Sequence, residues 1–368
     1  MMVRGLEAFA VDQFAPRINR PDIILERLGA GPEAAIEHYR HLYERRLKKL
    51  GLSPELLDLH APDAQIVSAK VRGRRLDIKA ACADSQYDLR RYNIYVNDVP
   101  LFAGGKAIKG RHAKMRDKIE LTEGTNRVEV SCTNDREVES FRAVRTFESK
   151  KKDVGSLWVL AFGVSVYQDD RLDLQFAHKD ALDISDTLAR ATGFSKIHVH
   201  TFTDKEVTAQ AIQGAKALLS KSGPADTLVV FIAGHGLHER DQDATWYYLT
   251  HDTKLDNLAS SAARFEDVEA LLHGVAPRKK LFLMDACESG EADGVAATAT
   301  PSADSAVAPR GIRRKAKGAE VAAEAKATER RPWLFETDRF IYNDLARRSG
   351  AIVFSSSRGG ELSYESSK

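Results

Sequence analysis

The sequence predicts an α/β domain built on a parallel sheet, preceded by an all-β segment and a short helical lead-in. Three observations carry this. Residues 154–290 alternate short, branched apolar runs with helix-period stretches, residues 63–148 hold runs of strict period-two alternation, and residues 32–50 repeat apolar side chains at helical spacing. A length of 368 residues and a hydrophobic content of 43% allow two domains with full cores.

In chain order, Pro16, Asn19 and Pro21 mark a loop-like start. A helix is expected over Pro32–Leu50, with Ile36, Tyr39, Leu42, Tyr43, Leu47 and Leu50 on one face. Its opposite face, with Arg40, Arg45, Arg46, Lys48 and Lys49, reads as a solvated helix face. Strands follow at Gln65–Val71, Leu76–Ala80, Tyr92–Val96, Asp117–Leu121 and Asn126–Cys132, with turn signals at Asn97-Asp98 and Glu123-Gly124. Several half-buried strands in such a length suggest an immunoglobulin-like β-sandwich over 61–150. Cys82 and Cys132 fall on inward faces and are expected to be buried free thiols, since three cysteines without disulfide or zinc spacing suit a reducing compartment.

Apolar runs at Leu157–Val166, Ile197–Phe202, Leu228–Ala233 and Leu281–Met284 read as buried parallel strands. Helices are expected at Ala177–Thr192, Lys205–Ser222 and Phe265–His273, completing a sheet covered on both faces. Residues 291–332 are rich in small and basic residues and read as a flexible insert, with a short helix through Glu320–Lys326. Order resumes at Trp333, and Ala351–Phe354 reads as a further strand.

Composition narrows the function. With 55 basic and 53 acidic side chains, bulk charge points to neither nucleic acid nor a membrane surface. The longest strongly apolar run, Leu157–Val166, is about half the roughly 20 residues a bilayer demands, and the N-terminus lacks a secretory core, so a cytoplasmic location without membrane partners is expected. Between Arg310 and Arg331 stand eight Lys/Arg against three Glu, but no aromatic interleaves them for base stacking.

Two strands run into reactive-looking loops, one at Gly234-His235-Gly236 and one at Asp285-Ala286-Cys287-Glu288-Ser289-Gly290. Parallel sheets place active sites beyond the carboxyl ends of their strands. His235 and Cys287 are 52 residues apart, close to the roughly 50 of caspase histidine and cysteine. A thiolate is the nucleophile, and an imidazole takes its proton and later returns one to the leaving amine. The N–H groups of Gly236 and Cys287 are the candidate oxyanion hole.

From Leu157 to Glu365 the chain resembles the caspase-like cysteine peptidases, especially their bacterial metacaspase-type branch. Phe231-Ile232-Ala233-Gly234-His235-Gly236 resembles the histidine strand and Asp285–Gly290 the cysteine motif. Tyr247–Asp252 resembles the strand between them, and Ser355-Ser356-Ser357 through Ser363-Tyr364-Glu365 the strand and loop lining the specificity pocket. Phe9–Phe14 and Asn19–Ile23 resemble the connector after the propeller of WD-repeat-associated bacterial caspase-like proteins, so the chain is expected to be cut from a longer protein or a natural short form.

The resemblance implies a caspase-like α/β/α domain over 151–368, no cofactor for the chemistry, and a calcium requirement left open. Protein or peptide substrates are implied, and the β-sandwich is the expected surface for a regulatory protein. The resemblance sets Asp285 and Glu365 where Asp-cleaving caspases carry Gln and Arg, with Glu361 a third acid near the rim, so cleavage after Arg, then Lys, is expected. Self-cleavage sites are expected in the insert at Arg310, Arg313, Arg314 or Arg330. The alternative is a catalytically silent adaptor that only binds protein partners.

Overall fold

The computed structural model describes residues 2–4, 7–9, 15–29, 33–49, 60–238, 245–286, 307–309, 312–315, 318–321, 345, 348–356 and 364–366. The chain forms two compact units, Met1–Asp153 and Val154–Lys368.

The first unit opens with strands β1 (Met2–Arg4) and β2 (Glu7–Phe9), then helices α1 (Ala15–Ile18), α2 (Pro21–Leu28) and α3 (Glu33–Lys49). The last matches the expected helix. The expected loop around Pro16–Pro21 is instead two short helices, because Pro21 occupies the first turn of α2, where its missing N–H costs nothing. Gly29 ends that helix in the left-handed conformation.

Two antiparallel sheets follow and resemble an immunoglobulin-like domain. One holds β3 (Asp63–Arg72), β4 (Arg75–Ala83) and β8 (His112–Glu120) in the order β3-β4-β8. The other holds β5 (Leu89–Val96), β6 (Val99–Pro100), β7 (Lys106–Ala107), β9 (Gly124–Asn134) and β10 (Ala143–Ser149). Asn97 and Asp98 both take positive φ, 51° and 66°, which closes the tight β5–β6 hairpin. Ile66, Leu76, Ile78 and Ile119 meet Ile94, Val128 and Val130 in one core. Alternation revealed the long strands, but β6, β7 and β10 were missed, two of them being only two residues long.

Cys82 on β4 and Cys132 on β9 are joined by a disulfide, with Cα atoms 6.3 Å apart. This corrects the expectation of free thiols. Both side chains point into the same core from facing sheets, and the sheet spacing brings them within bonding reach.

The second unit is an α/β domain built on one parallel sheet. Strands β11 (Leu157–Gly163), β12 (Ile197–Thr203), β13 (Thr227–Gly234), β17 (Lys279–Ala286) and β21 (Ala351–Ser355) are all parallel, in the order β12-β11-β13-β17-β21. Every residue of β11 is buried, which explains its unbroken apolar run. Helix α4 (Ala177–Ala189) covers one face through Ala177 and Ala181 against Ala161, Phe231 and Ala233. Helix α5 (Ala209–Ala215) contributes Ile212 and Ala215 to the larger core on the other face. The helix expected over Lys205–Ser222 is split into 3-10 turns at Asp204–Glu206 and Lys216–Lys221 around α5.

Strands β14 (Gly236–His238), β15 (Trp246–Tyr248) and β16 (Ala263–Arg264) form a separate antiparallel sheet, with α6 (Leu258–Ser261) and α7 (Phe265–Ala270) nearby in sequence. The strand expected at Tyr247–Asp252 is therefore Trp246–Tyr248, and the chain turns after it. Within the expected insert, β18 (Val307–Pro309) pairs with β22 (Tyr364–Ser366), and β19 (Ile312–Lys315) pairs with β20 (Gly318–Val321). The helix expected from Glu320 thus begins as a hairpin strand, its register pairing Ile312 with Val321, both β-branched residues that favour strands.

Candidate active site

Strands β13 and β17 are neighbours, and their register sets Ala233 beside Asp285 and Gly234 beside Ala286. His235 follows the first strand directly. Gly234 has φ 144°, and a Cβ there would lie 3.1 Å from the Tyr167 hydroxyl and 3.3 Å from the Tyr248 ring, so this turn demands glycine. Tyr248 is fully buried, and its hydroxyl donates to the Ala233 carbonyl at 2.8 Å, fixing the end of β13 from the adjoining sheet.

His235 is only 3% exposed. Its backbone N–H donates to the Tyr167 hydroxyl at 3.1 Å, and its Nε2 lies 2.9 Å from the Leu172 carbonyl oxygen. A carbonyl only accepts, so Nε2 carries the proton and Nδ1 the lone pair. That tautomer makes Nδ1 the basic nitrogen. Leu249 N–H donates to the His235 carbonyl at 3.0 Å. Gly236 and Tyr248 therefore form a non-hydrogen-bonded pair, and the Gly236 N–H turns away from β15.

Asp285 is partly buried near the end of β17. Ser355 of β21 lies beside Met284, and Ser356 N–H donates to the Met284 carbonyl at 2.9 Å, so the start of the expected pocket strand runs alongside Asp285.

Cys287, Glu361, Arg310 and Arg330 lie outside the described residues, and Glu365, Arg313 and Arg314 are placed only as members of β22 and β19. Among the described residues no cluster of His, Cys, Asp or Glu could hold a metal ion, and no helix is long and apolar enough to cross a membrane. Sequence reasoning missed Tyr167, Leu172 and Asp173. Their loop follows β11, the strand beside β13, and that position together with its run of aspartates was the available signal.

The family model described as the caspase domain matches residues 156–368. No curated protein matches the chain. Among solved structures, a protein from Geobacter sulfurreducens is 21% identical over 37% of this chain and 52% of its own length, with a TM-score of 0.30. The PKD1 domain of Vibrio anguillarum Epp is 19% identical over 25% of this chain and 98% of its own, with a TM-score of 0.19. The PKD1 domain of the Vibrio cholerae metalloprotease PrtV is 14% identical over 25% and 96%, with a TM-score of 0.16. These structural likenesses are too low to bear on function. The caspase-domain match, in contrast, spans more than half of the residues and includes the whole parallel sheet: the chain belongs to the caspase-domain family of cysteine-type peptidases.

Proposed function

We propose that the chain is a caspase-type cysteine endopeptidase with Cys287 as nucleophile and His235 as its acid–base partner, cutting after Arg in preference to Lys. One observation carries this reading: Gly234 and Ala286 are register partners at the ends of adjacent parallel strands. His235 and Cys287 each follow by one peptide, and consecutive Cα atoms are about 3.8 Å apart. The described register thus ends one residue short of both members of the proposed dyad, in which the His235 Nδ1 lone pair would take the thiol proton.

The Gly236 N–H, with that of Cys287, serves the oxyanion. Asp285, with Glu365 and Glu361 from the pocket loop, supplies the negative charge that favours a guanidinium and leaves a substrate carboxylate repelled. The insert provides self-cleavage sites at Arg310, Arg313, Arg314 or Arg330. Arg313 and Arg314 sit in β19, so cutting there requires the β19–β20 hairpin to open. The N-terminal sheets act as an immunoglobulin-like module that binds a regulatory protein, and the chain falls in the bacterial metacaspase-type branch.

Hydrolysis of fluorogenic peptides that differ only in the residue before the cut tests the reading. Cys287→Ala and His235→Ala should each abolish turnover without unfolding the protein, and their losses should not add. Clear residual turnover by purified Cys287→Ala would end the nucleophile assignment. Intact masses after long incubation check self-cleavage, since only the wild type should be cut.

A further inference from the structure

Resting on His235 as the catalytic imidazole, we infer that Tyr167 and Asp173 are its positioning residues, clamping the loop after β11 so that the histidine is held by backbone and ring together. The loop is closed on itself: Leu174 N–H donates to the Ser165 carbonyl at 2.8 Å, and Tyr167 N–H donates to Asp173 Oδ1 at 2.8 Å. Its start is pinned by Asp204, whose Oδ1 accepts from Ser165 and Val166 N–H at 2.8 and 2.9 Å. On the far side, His251 Nδ1 lies 2.6 Å from the Val166 carbonyl, and Gln168 N–H donates to the His251 carbonyl at 2.8 Å. Asp169 caps the 3-10 turn Asp170–Leu172, and the Leu172 side chain is buried.

This closure presents two groups to His235 from one short loop. The Tyr167 hydroxyl receives the His235 backbone N–H, and the Leu172 carbonyl receives the ring proton. The phenol and imidazole rings also pack, with centroids 5.4 Å apart. Asp173 adjoins Leu172 and holds Tyr167, so a single carboxylate couples both contacts. When the imidazole gains a proton, the Nε2–H to carbonyl bond becomes charge-assisted and strengthens. The clamp therefore favours the imidazolium that sits beside a thiolate, without touching substrate.

The test compares Tyr167→Phe, Asp173→Ala and Asp173→Asn with wild type and His235→Ala. It reads kcat and KM on an Arg peptide and the pH dependence of Cys287 alkylation by iodoacetamide, followed by mass. Tyr167→Phe keeps the ring and loses the acceptor; Asp173→Asn keeps an oxygen that accepts from Tyr167. Tyr167→Phe and Asp173→Ala should lower kcat by about fivefold or more, with KM unchanged within about twofold. Both should raise the alkylation midpoint by about half a pH unit or more, and Asp173→Asn should restore both readouts.

Wild-type kcat and midpoint in Tyr167→Phe would overturn the inference, as would a lower rate with an unmoved midpoint. If Asp173→Ala fails to fold, Tyr167→Phe decides alone. Turnover at the wild-type rate by His235→Ala would instead overturn the dyad itself.

Discussion

At the residue scale, the Leu172 carbonyl faces His235 Nε2 and so fixes the tautomer of the ring, and Asp285 follows Met284, the register partner of Ser355, in the pocket proposed above. Asp285→Asn removes the charge while keeping the shape of the side chain. The rate on Arg peptides should fall at least about tenfold, or about 1.4 kcal/mol of transition-state stabilisation, with discrimination against Asp peptides reduced. Paired kcat/KM measurements on Arg and Asp peptides check this, and an unchanged ratio removes Asp285 from the pocket. His235 was legible in the sequence because small residues flank it at a strand end. Tyr167 and Asp173 were not, because their partners are 68 and 6 residues away and only folding joins them.

At the scale of elements, the parallel strands were legible because burial on both faces leaves a continuous apolar run, as in Leu157–Gly163. The 3-10 turns flanking α5 and the three-residue strand β14 were not, since their short lengths carry no period, and β15 was reached only through the family resemblance. Strand β17 also holds an unexpected cation. Lys280 is buried, and its Nζ donates to the Ser349 carbonyl at 2.7 Å, just before β21 begins. Burial first, and then the charge of Lys216, push its pKa from 10.5 down to about 8.

Below pH 8 both folded and unfolded chains carry the proton, and the buried charge is fully unfavourable. Between about 8 and 10.5 the folded state sheds it first, so this contribution to stability rises with pH. The span corresponds to about 3 kcal/mol at most. Lys280→Met should therefore gain on wild type at pH 7 relative to pH 10. Denaturant midpoints of both proteins across that range check this, and a pH-independent difference contradicts it.

At the scale of the whole molecule, the chain is two units with different means of support. The peptidase unit rests on a core spanning both faces of its sheet. The N-terminal unit has a smaller core and a disulfide across its two sheets. Composition could not reveal that bond: three cysteines suggested thiols, and only the packing of β4 against β9 from separate sheets brings two of them together. Cys82 and Cys132 are 50 residues apart, a loop whose closure is worth about 4 kcal/mol in the chain-entropy view. Reduction, or Cys82→Ala with Cys132→Ala, should lower the melting temperature of residues 1–153 and leave peptide hydrolysis largely unchanged. Calorimetry with and without reductant checks it, and an unmoved transition contradicts it.

Nucleophile and specificity are both read in one covalent trap. The protein is incubated with a peptidyl-Arg chloromethyl ketone and, separately, with its peptidyl-Asp counterpart, and the adduct is mapped by mass spectrometry. A single Arg-probe adduct on Cys287 is expected, with none in His235→Ala and negligible labelling by the Asp probe. Labelling at another residue, or faster labelling of Cys287 by the Asp probe, would contradict it.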